Sequence, residues 1–515
     1  MFAKLRSSQR ILLLSSVFIV AASGLVYELI AGAISSYLLG DAVTQFSLVI
    51  GVFLSSMGIG SYFVQFIEKR LLWYFVCIEL CIALVGGISS IIMFAVGAYF
   101  SDIFGIVFYS TCILIGSMVG AEIPLLIRIL KENNTIENAL SNVLALDYIG
   151  ALAGSLLFPM VILPYIGLSR ASVVFGLLNL VVAYLGMTLL TPHEKRRLQL
   201  PSLGVGSLLC ALFVYSNTMV RYFEDVLYQD EIIYAEETPY QRIILTKWDN
   251  DIRLYLNGHI QFSSIDEARY HETLVHIAAS ASKGPVQNAL ILGGGDGMAA
   301  RELFKYKSIQ HIDLVDIDPA VTKLSKSSPF LRKISKDSLF DERLHVHHTD
   351  GMLFLQDTPK FYDIIIIDLP DPNTSTLSKL YSTAFYALVQ RRLNQGGVFI
   401  TQSSSPYYAP DAFWCVYHTI EAMHNEKGIQ ESTTIPLHVN VPSFGEWGFV
   451  ISGAHTIEPS TFNLPKDMTF RYLTNEVLPS LFVFGIDIKE RKTKINRLTD
   501  PVLHKYYQDG WSNYH

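Results

Sequence analysis

The sharpest chemical signal in the sequence is a pair of carboxylates three residues apart. The run Tyr362-Asp363-Ile364-Ile365-Ile366-Ile367-Asp368 is apolar almost to its end and continues as Leu369-Pro370-Asp371-Pro372. Two prolines stiffen that segment, and neither Asp368 nor Asp371 is needed to fill a core. Such a pair suits binding a cation or taking a proton from one. A turn or helix-capping aspartate would explain one of them, hardly both.

A second signal lies upstream, where an apolar stretch at 288–292 runs into Gly293-Gly294-Gly295-Asp296-Gly297 and then a helical pattern. Glycines there allow a tight turn and close approach of backbone to a nucleotide. About 20 residues on comes Asp316-Ile317-Asp318, the place at which an acid binds ribose hydroxyls. Asp350-Gly351 ends the next apolar stretch, well placed for the base edge of an adenine. A glycine-rich loop alone is weak evidence; strand, loop, helix, strand and acid in that order are stronger.

Positioning these residues calls for strands at 288–292, 311–316, 343–348, 362–368, 397–401 and 446–452, with helices between them at about 298–307, 319–327, 378–394 and 411–426. That alternation predicts parallel strands with crossover helices, an α/β doubly wound, Rossmann-like sheet, with function at the C-terminal ends of its strands. Residues 226–262 read as short strands with Asn257-Gly258 as a turn, followed by a helical run at 266–282.

The composition divides the chain. Of 515 residues 50% are hydrophobic and 17% charged, and residues 1–221 carry a net charge of +2 against −9 for 222–515. An acidic half argues against a nucleic-acid partner, whose phosphates want a basic face. It suits a cationic small molecule, although acidic surfaces also simply keep proteins soluble. Of the five cysteines only Cys415 lies in the second half, so no disulfide framework or metal cluster is predicted.

A bilayer core needs about 20 apolar residues per helix, and the first half offers runs at 11–33, 44–66, 72–98, 104–127, 144–166, 168–191 and 202–220. This predicts a polytopic helical domain with the lipid bilayer as partner. The last run is the weakest, carrying Ser216, Asn217 and Thr218. Clusters Lys4/Arg6/Arg10, Lys69/Arg70, Arg128/Lys131 and Lys195/Arg196/Arg197 fall on one side, which the positive-inside rule makes cytoplasmic, with the N-terminus. Six crossings leave the acidic half in the cytoplasm; seven put it outside. Four acids interrupt the runs: Glu28, Glu79, Glu122 and Asp147. They fit either a cation-binding cavity or acids hydrogen-bonded between helices or near an interface. Pro124 predicts a local break near Glu122.

These residues together give the chain a specific likeness. It resembles the spermidine synthase (polyamine aminopropyltransferase) family, in its membrane-anchored long form, over about 226–455. The motifs are Tyr240-Gln241, the stretch 254–262, Tyr270-His271-Glu272 through His276, the glycine loop, Asp316, Asp350-Gly351, the stretches 368–372 and 401–406, and Pro442-Ser443-Phe444-Gly445-Glu446-Trp447-Gly448-Phe449. Composition, patterning and the extent of the resemblance together predict four segments: 1–221 transmembrane, 222–265 a β-strand subdomain, 266–455 catalytic, and 456–515 a C-terminal extension.

It also implies transfer of an aminopropyl group from decarboxylated S-adenosylmethionine to a polyamine acceptor, by default putrescine, releasing methylthioadenosine. The donor is a co-substrate, and neither a metal nor a resident cofactor is implied. By motif position Asp316 would hold the ribose hydroxyls and Asp350 the adenine amino group. Gln241, Gly293, Gly295, Asp296 and Gly351 would line the donor site. Asp368 would be the general base, Tyr270 and Asp371 would hold the amine, and Gln402 and Trp447 would border the acceptor channel. A homodimer through the early strands is the family expectation.

The chemistry makes independent sense. The donor's sulfonium leaves its alkyl carbon open to in-line attack, and placing a neutral amine against it lowers the barrier. An acid in the glycine loop, Asp296, would repel the carboxylate of intact S-adenosylmethionine. Two departures fall on the amine side: Asn373–Leu377 replaces the family's proline-alanine gate segment, and Ser404 stands where a glutamate is usual. Two other readings remain open at this level, a methyltransferase on the same sheet and a membrane transporter or sensor that only binds polyamine.

Overall fold

The computed structural model describes residues 7–39, 42–131, 136–228, 230–429 and 431–514; Lys4 and Arg6 of the first positive cluster lie outside them. The chain forms two compact units, Met1–Pro239 and Tyr240–His515.

The first unit is helical. Among the described residues seven helices are long and apolar enough to cross a membrane, the last within Pro192–Ser216. That seventh stretch begins earlier than the sequence suggests, because Pro192 opens a helix that runs on to Tyr228 and takes in Lys195, Arg196 and Arg197. The helix Phe104–Lys131 runs through Pro124 without the expected break. Glu79 and Glu122 are buried in this unit. Glu28 and Asp147 are half-buried. A strand, β1 (Glu231–Glu237), closes the unit.

In the second unit β2 (Arg242–Trp248), β3 (Asp251–Leu256) and β4 (His259–Ser263) form an antiparallel meander. Asn257 and Gly258 both take positive φ, 50° and 82°, as a two-residue hairpin turn requires. The helix Glu267–Ala281 leads into a seven-stranded sheet. Its strands are β5 (Asn288–Gly293), β6 (His311–Val315), β7 (Leu344–His347), β8 (Tyr362–Asp368), β9 (Leu393–Gln402), β10 (Thr433–Val441) and β11 (Gly445–Gly453). The spatial order is β10-β11-β9-β8-β5-β6-β7, with β7 through β9 mutually parallel and β11 and β10 antiparallel.

Because successive strand residues face opposite ways, Ala289, Ile291, Ile364 and Ile366 enter one core, and Leu290, Leu292, Ile365 and Ile367 the other. Burying each such side chain contributes roughly 1.5–3 kcal/mol. The strand β10 was not anticipated; Pro436 sits within it, which an edge strand tolerates. The residues after 456 also join these cores. Ile457, Leu464, Leu473, Leu478 and Leu481 pack on one face, Val502, Leu503 and Tyr507 on the other. Glu272 anchors this segment by accepting the backbone N–H groups of Arg471, Tyr472 and Leu473 at 2.7–3.0 Å.

Candidate active site

The sheet order reverses between β5 and β8, creating a crevice at the carboxyl ends of the strands where ligands of doubly wound sheets bind. Gly293 and Asp368 are register partners there. Gly293 has φ +86°, and a Cβ on it would lie 2.0 Å from the Asp368 carbonyl oxygen. A Cβ on Gly295 would lie 2.4 Å from Asp316 Oδ2. The glycines are therefore dictated by close approach of the loop to both aspartates.

On the β6 side, Asp316 accepts the N–H of Gly295 at 3.1 Å and of Asp318 at 2.9 Å. Burial raises its carboxyl to about 6 despite those donors. Asp318 caps the helix Pro319–Ser327 and accepts from Gln241 Nε2 at 3.0 Å, which ties Gln241 to the loop after β6. Asp350 caps the helix Gly351–Asp357 through Met352 N at 2.8 Å, and its other oxygen pairs with Lys379 at 2.9 Å. Burial would raise that carboxyl, but Lys379 outweighs it and holds it below the usual range. Asp350 is thus already engaged, and a ligand amino group there would share it with Lys379. A Cβ on Gly351 would meet only Leu292, at 3.6 Å.

On the β8 side, Tyr270 Oη donates to Asp368 Oδ1 at 2.7 Å. Burial pushes the Asp368 carboxyl above the carboxylate range, the His271 charge opposing and Asp296 reinforcing. Burial likewise lifts Asp371 to about 7. Asp371 Oδ1 has no hydrogen-bond partner. Asp296 accepts Met298 N at 2.8 Å and starts the helix that follows the loop.

Gln402 does not border open space. It is 2% exposed, and its Nε2 donates to Leu369 O at 2.7 Å and to Tyr381 Oη at 2.5 Å. Tyr381 in turn donates to Pro370 O at 2.9 Å, so both residues brace the Asp368–Asp371 segment. Trp447 packs edge-on against Phe444, with its indole N–H buried and unpartnered. Ser404 is buried at φ +62°, also with an unpartnered hydroxyl.

Sequence reasoning placed His271 in a motif but gave it no role in the site. Its Nδ1 meets Glu267 Oε2 at 2.9 Å, and Glu267 is gripped by both guanidinium nitrogens of Arg301 at 2.8–3.0 Å and by Arg471 at 2.6 Å. Burial disfavours the charged ring, yet Glu267, Asp296 and Asp368 outweigh it and raise His271 to about 9. The His271 charge in turn favours the ionised form of Asp368. The signal was available: Glu267 and His271 are four residues apart on one helix face. Tyr381 carried no such signal.

The described site residues thus place acids on both sides of one glycine loop, with the His271–Glu267 pair on the helix that carries Tyr270. The chain matches the spermine/spermidine synthase domain over residues 267–461. It is 45% identical over 501 residues to a polyamine aminopropyltransferase of Leptospira interrogans, covering 96% of this chain and 98% of the relative. A polyamine aminopropyltransferase of Oceanobacillus iheyensis is 40% identical over 506 residues, covering 96% of each. A solved spermidine synthase in complex with the transition-state analogue AdoDATO is 24% identical, covering 50% of this chain and 86% of that one at a TM-score of 0.45.

Proposed function

The chain belongs to the spermine/spermidine synthase family of polyamine aminopropyltransferases, and from that premise we propose that it transfers the aminopropyl group of decarboxylated S-adenosylmethionine to putrescine. The amine lone pair attacks the aminopropyl carbon bonded to sulfur, and the C–S bond breaks. Its electron pair stays on sulfur, giving neutral methylthioadenosine, and the proton released from nitrogen passes to Asp368.

The observation that carries this reading is Asp368 itself. It ends a strand at the sheet's switch point, is held by Tyr270, and has a carboxyl raised by burial toward neutrality. A base with that affinity is ionised at neutral pH yet still takes a proton well. His271 stabilises the ionised form. Asp371, with one oxygen unpartnered, receives the distal ammonium of the diamine. Asp316 and Gln241 hold the donor's ribose, Asp350 the adenine edge over Gly351, and Asp296 disfavours a donor that still carries its carboxylate.

The helices of the first unit anchor the protein in the cell membrane with its N-terminus in the cytoplasm. The second unit faces the cytoplasm, where the donor is made, and the run 202–220 lies along the interface rather than crossing the bilayer. A reporter fused after His515 that is active only outside the cytoplasm would overturn this placement. The protein works as a homodimer through the strands preceding the Rossmann-like sheet, which light scattering in detergent reads.

Detergent-purified protein given decarboxylated S-adenosylmethionine and a panel of di- and triamines should yield methylthioadenosine and an amine one aminopropyl heavier. Methylation of the amine by intact S-adenosylmethionine would establish the methyltransferase reading instead.

A further inference from the structure

The acid that faces the adenine is accompanied by a cation. Asp350 Oδ2 pairs with Lys379 Nζ at 2.9 Å, and Asp350 Oδ1 accepts the N–H groups of Met352 at 2.8 Å and Leu353 at 3.3 Å. A carboxylate offers about four lone-pair positions. These three donors leave one, on Oδ2, the oxygen that Lys379 already holds. An amino group that reaches Asp350 therefore lands beside an ammonium.

The backbone sets Lys379 in that place. It opens the single turn Lys379–Tyr381, just after the stretch 373–377 that departs from the family's gate sequence. Asn496, fully buried, clamps both ends of the turn, donating from Nδ2 to Ser378 O at 2.8 Å and to Tyr381 O at 3.0 Å. Leu380 enters the core that holds Leu292, the side chain a Cβ on Gly351 would meet. The ion pair thus joins the segment after β8 to the end of β7, with β5 and β6 lying between those strands in the sheet.

We infer that Asp350 and Lys379 together read one edge of the donor's adenine: Asp350 Oδ2 accepts an N–H of the exocyclic amino group, and Lys379 Nζ donates to the ring nitrogen beside it. The inference rests on the proposed aminopropyl transfer, in which Asp350 faces the adenine, and adds a second, cationic contact to it. Adenine sets a donor next to an acceptor where its amino group adjoins a ring nitrogen, and an acid next to an ammonium is the complement. A carboxylate alone would take any amino group; the added donor selects a base with an unprotonated nitrogen at that place. Lysine carries three N–H groups and spends one on Asp350, so the ion pair stays closed when the base binds.

Lys379→Met in the full-length protein removes the ammonium and keeps most of the stem. The side chain is 38% exposed, so the change leaves no cavity in the core. By calorimetric titration the Kd for methylthioadenosine should rise about tenfold, the scale of one hydrogen bond from a charged group. The decisive readout is a pair of analogues, 1-deaza- and 7-deaza-methylthioadenosine, each lacking one ring nitrogen beside the amino group. Wild type should bind one of the two about tenfold more weakly than methylthioadenosine, whereas Lys379→Met should bind that analogue and methylthioadenosine within about twofold of each other. An unchanged Kd in the variant would overturn the inference. So would an equal loss for all three ligands, which would mark Lys379 as a prop for Asp350 alone. Where Lys379→Met does not fold, Lys379→Ala decides on the same comparison. Wild-type protein that binds none of the three would overturn the proposed function and this inference with it. Wild type that binds methylthioadenosine, with a variant that keeps the wild-type discrimination between the ligands, would overturn the inference alone.

Discussion

Tyr270 and Asp368 lie 98 residues apart in sequence and meet at 2.7 Å, the phenol of a helix donating to a carboxylate at a strand's end. The helix Glu267–Ala281 is tied to Arg301 and Arg471 through Glu267. The strand is fixed by its register with β5. Asp368 is thereby aimed into the crevice rather than left to rotate, which is what a positioned base requires.

Asp368→Asn keeps the shape and removes the base. The account predicts a loss of about 10²–10⁴ in single-turnover rate, the usual contribution of a general base, with methylthioadenosine binding nearly unchanged. Rapid-quench kinetics beside calorimetric titration separate the two. Collapse of donor affinity with chemistry intact would assign Asp368 to the donor site instead.

The pH dependence follows from two carboxyls whose affinities for protons are raised in the folded protein. Asp371 lies at about 7 and Asp368 is raised in the same direction by burial. Both work as carboxylates, so kcat/KM for putrescine should fall as pH drops through roughly 7 to 6, instead of near the ordinary carboxylate value of about 4. A profile flat from pH 8 to pH 5 would contradict these roles. Asp371→Asn should remove the higher-lying part of the limb.

Two glycines separate fold from ligand. Gly293→Ala forces a side chain to φ +86° and a Cβ to 2.0 Å from Asp368 O. The dihedral alone costs of order 1–3 kcal/mol, so the variant should lose thermal stability and activity together. Gly351→Ala meets only Leu292, at 3.6 Å. It should melt like wild type yet bind methylthioadenosine more weakly if the adenine lies over Gly351 as proposed. Equal affinity would move the adenine elsewhere.

Glu267→Gln tests the network behind the base. Glu267 is held at about 2 because His271 and Arg301 outweigh its burial. Its folded value lies below the unfolded one, so its stabilisation is complete above about pH 4.5 and is lost as pH falls toward 2. Removing the charge leaves Arg301 buried beside one fewer partner, a loss of roughly 3–5 kcal/mol at neutral pH. A melting temperature within a degree of wild type would contradict the assignment.

Much of this site was legible in the sequence because parallel strands announce themselves. Each of β5, β6 and β8 is a short apolar run, and the chemistry follows at its end, where the polar residues 293–297, 316 and 368–371 stand out against the greasy background. The meander was marked by Asn257-Gly258. The strand β10 was not, since Thr433, Thr434 and Pro436 give an edge strand none of the core strands' continuity. Gln402 sits in a motif stretch and invited a channel role, but its amide is spent on Leu369 and Tyr381. The packing of Val502, Leu503 and Tyr507 into the core was invisible for a different reason, since nothing in the spacing of the C-terminal segment points to it.

The central claim is tested most directly by one stoichiometry. Purified protein with decarboxylated S-adenosylmethionine carrying a labelled aminopropyl group, and with putrescine, should yield methylthioadenosine and labelled spermidine one for one by mass spectrometry. The Asp368→Asn variant, with donor bound, should yield neither at a comparable rate. Methylthioadenosine released without labelled amine, or labelled spermidine formed at the wild-type rate by the variant, would contradict the account.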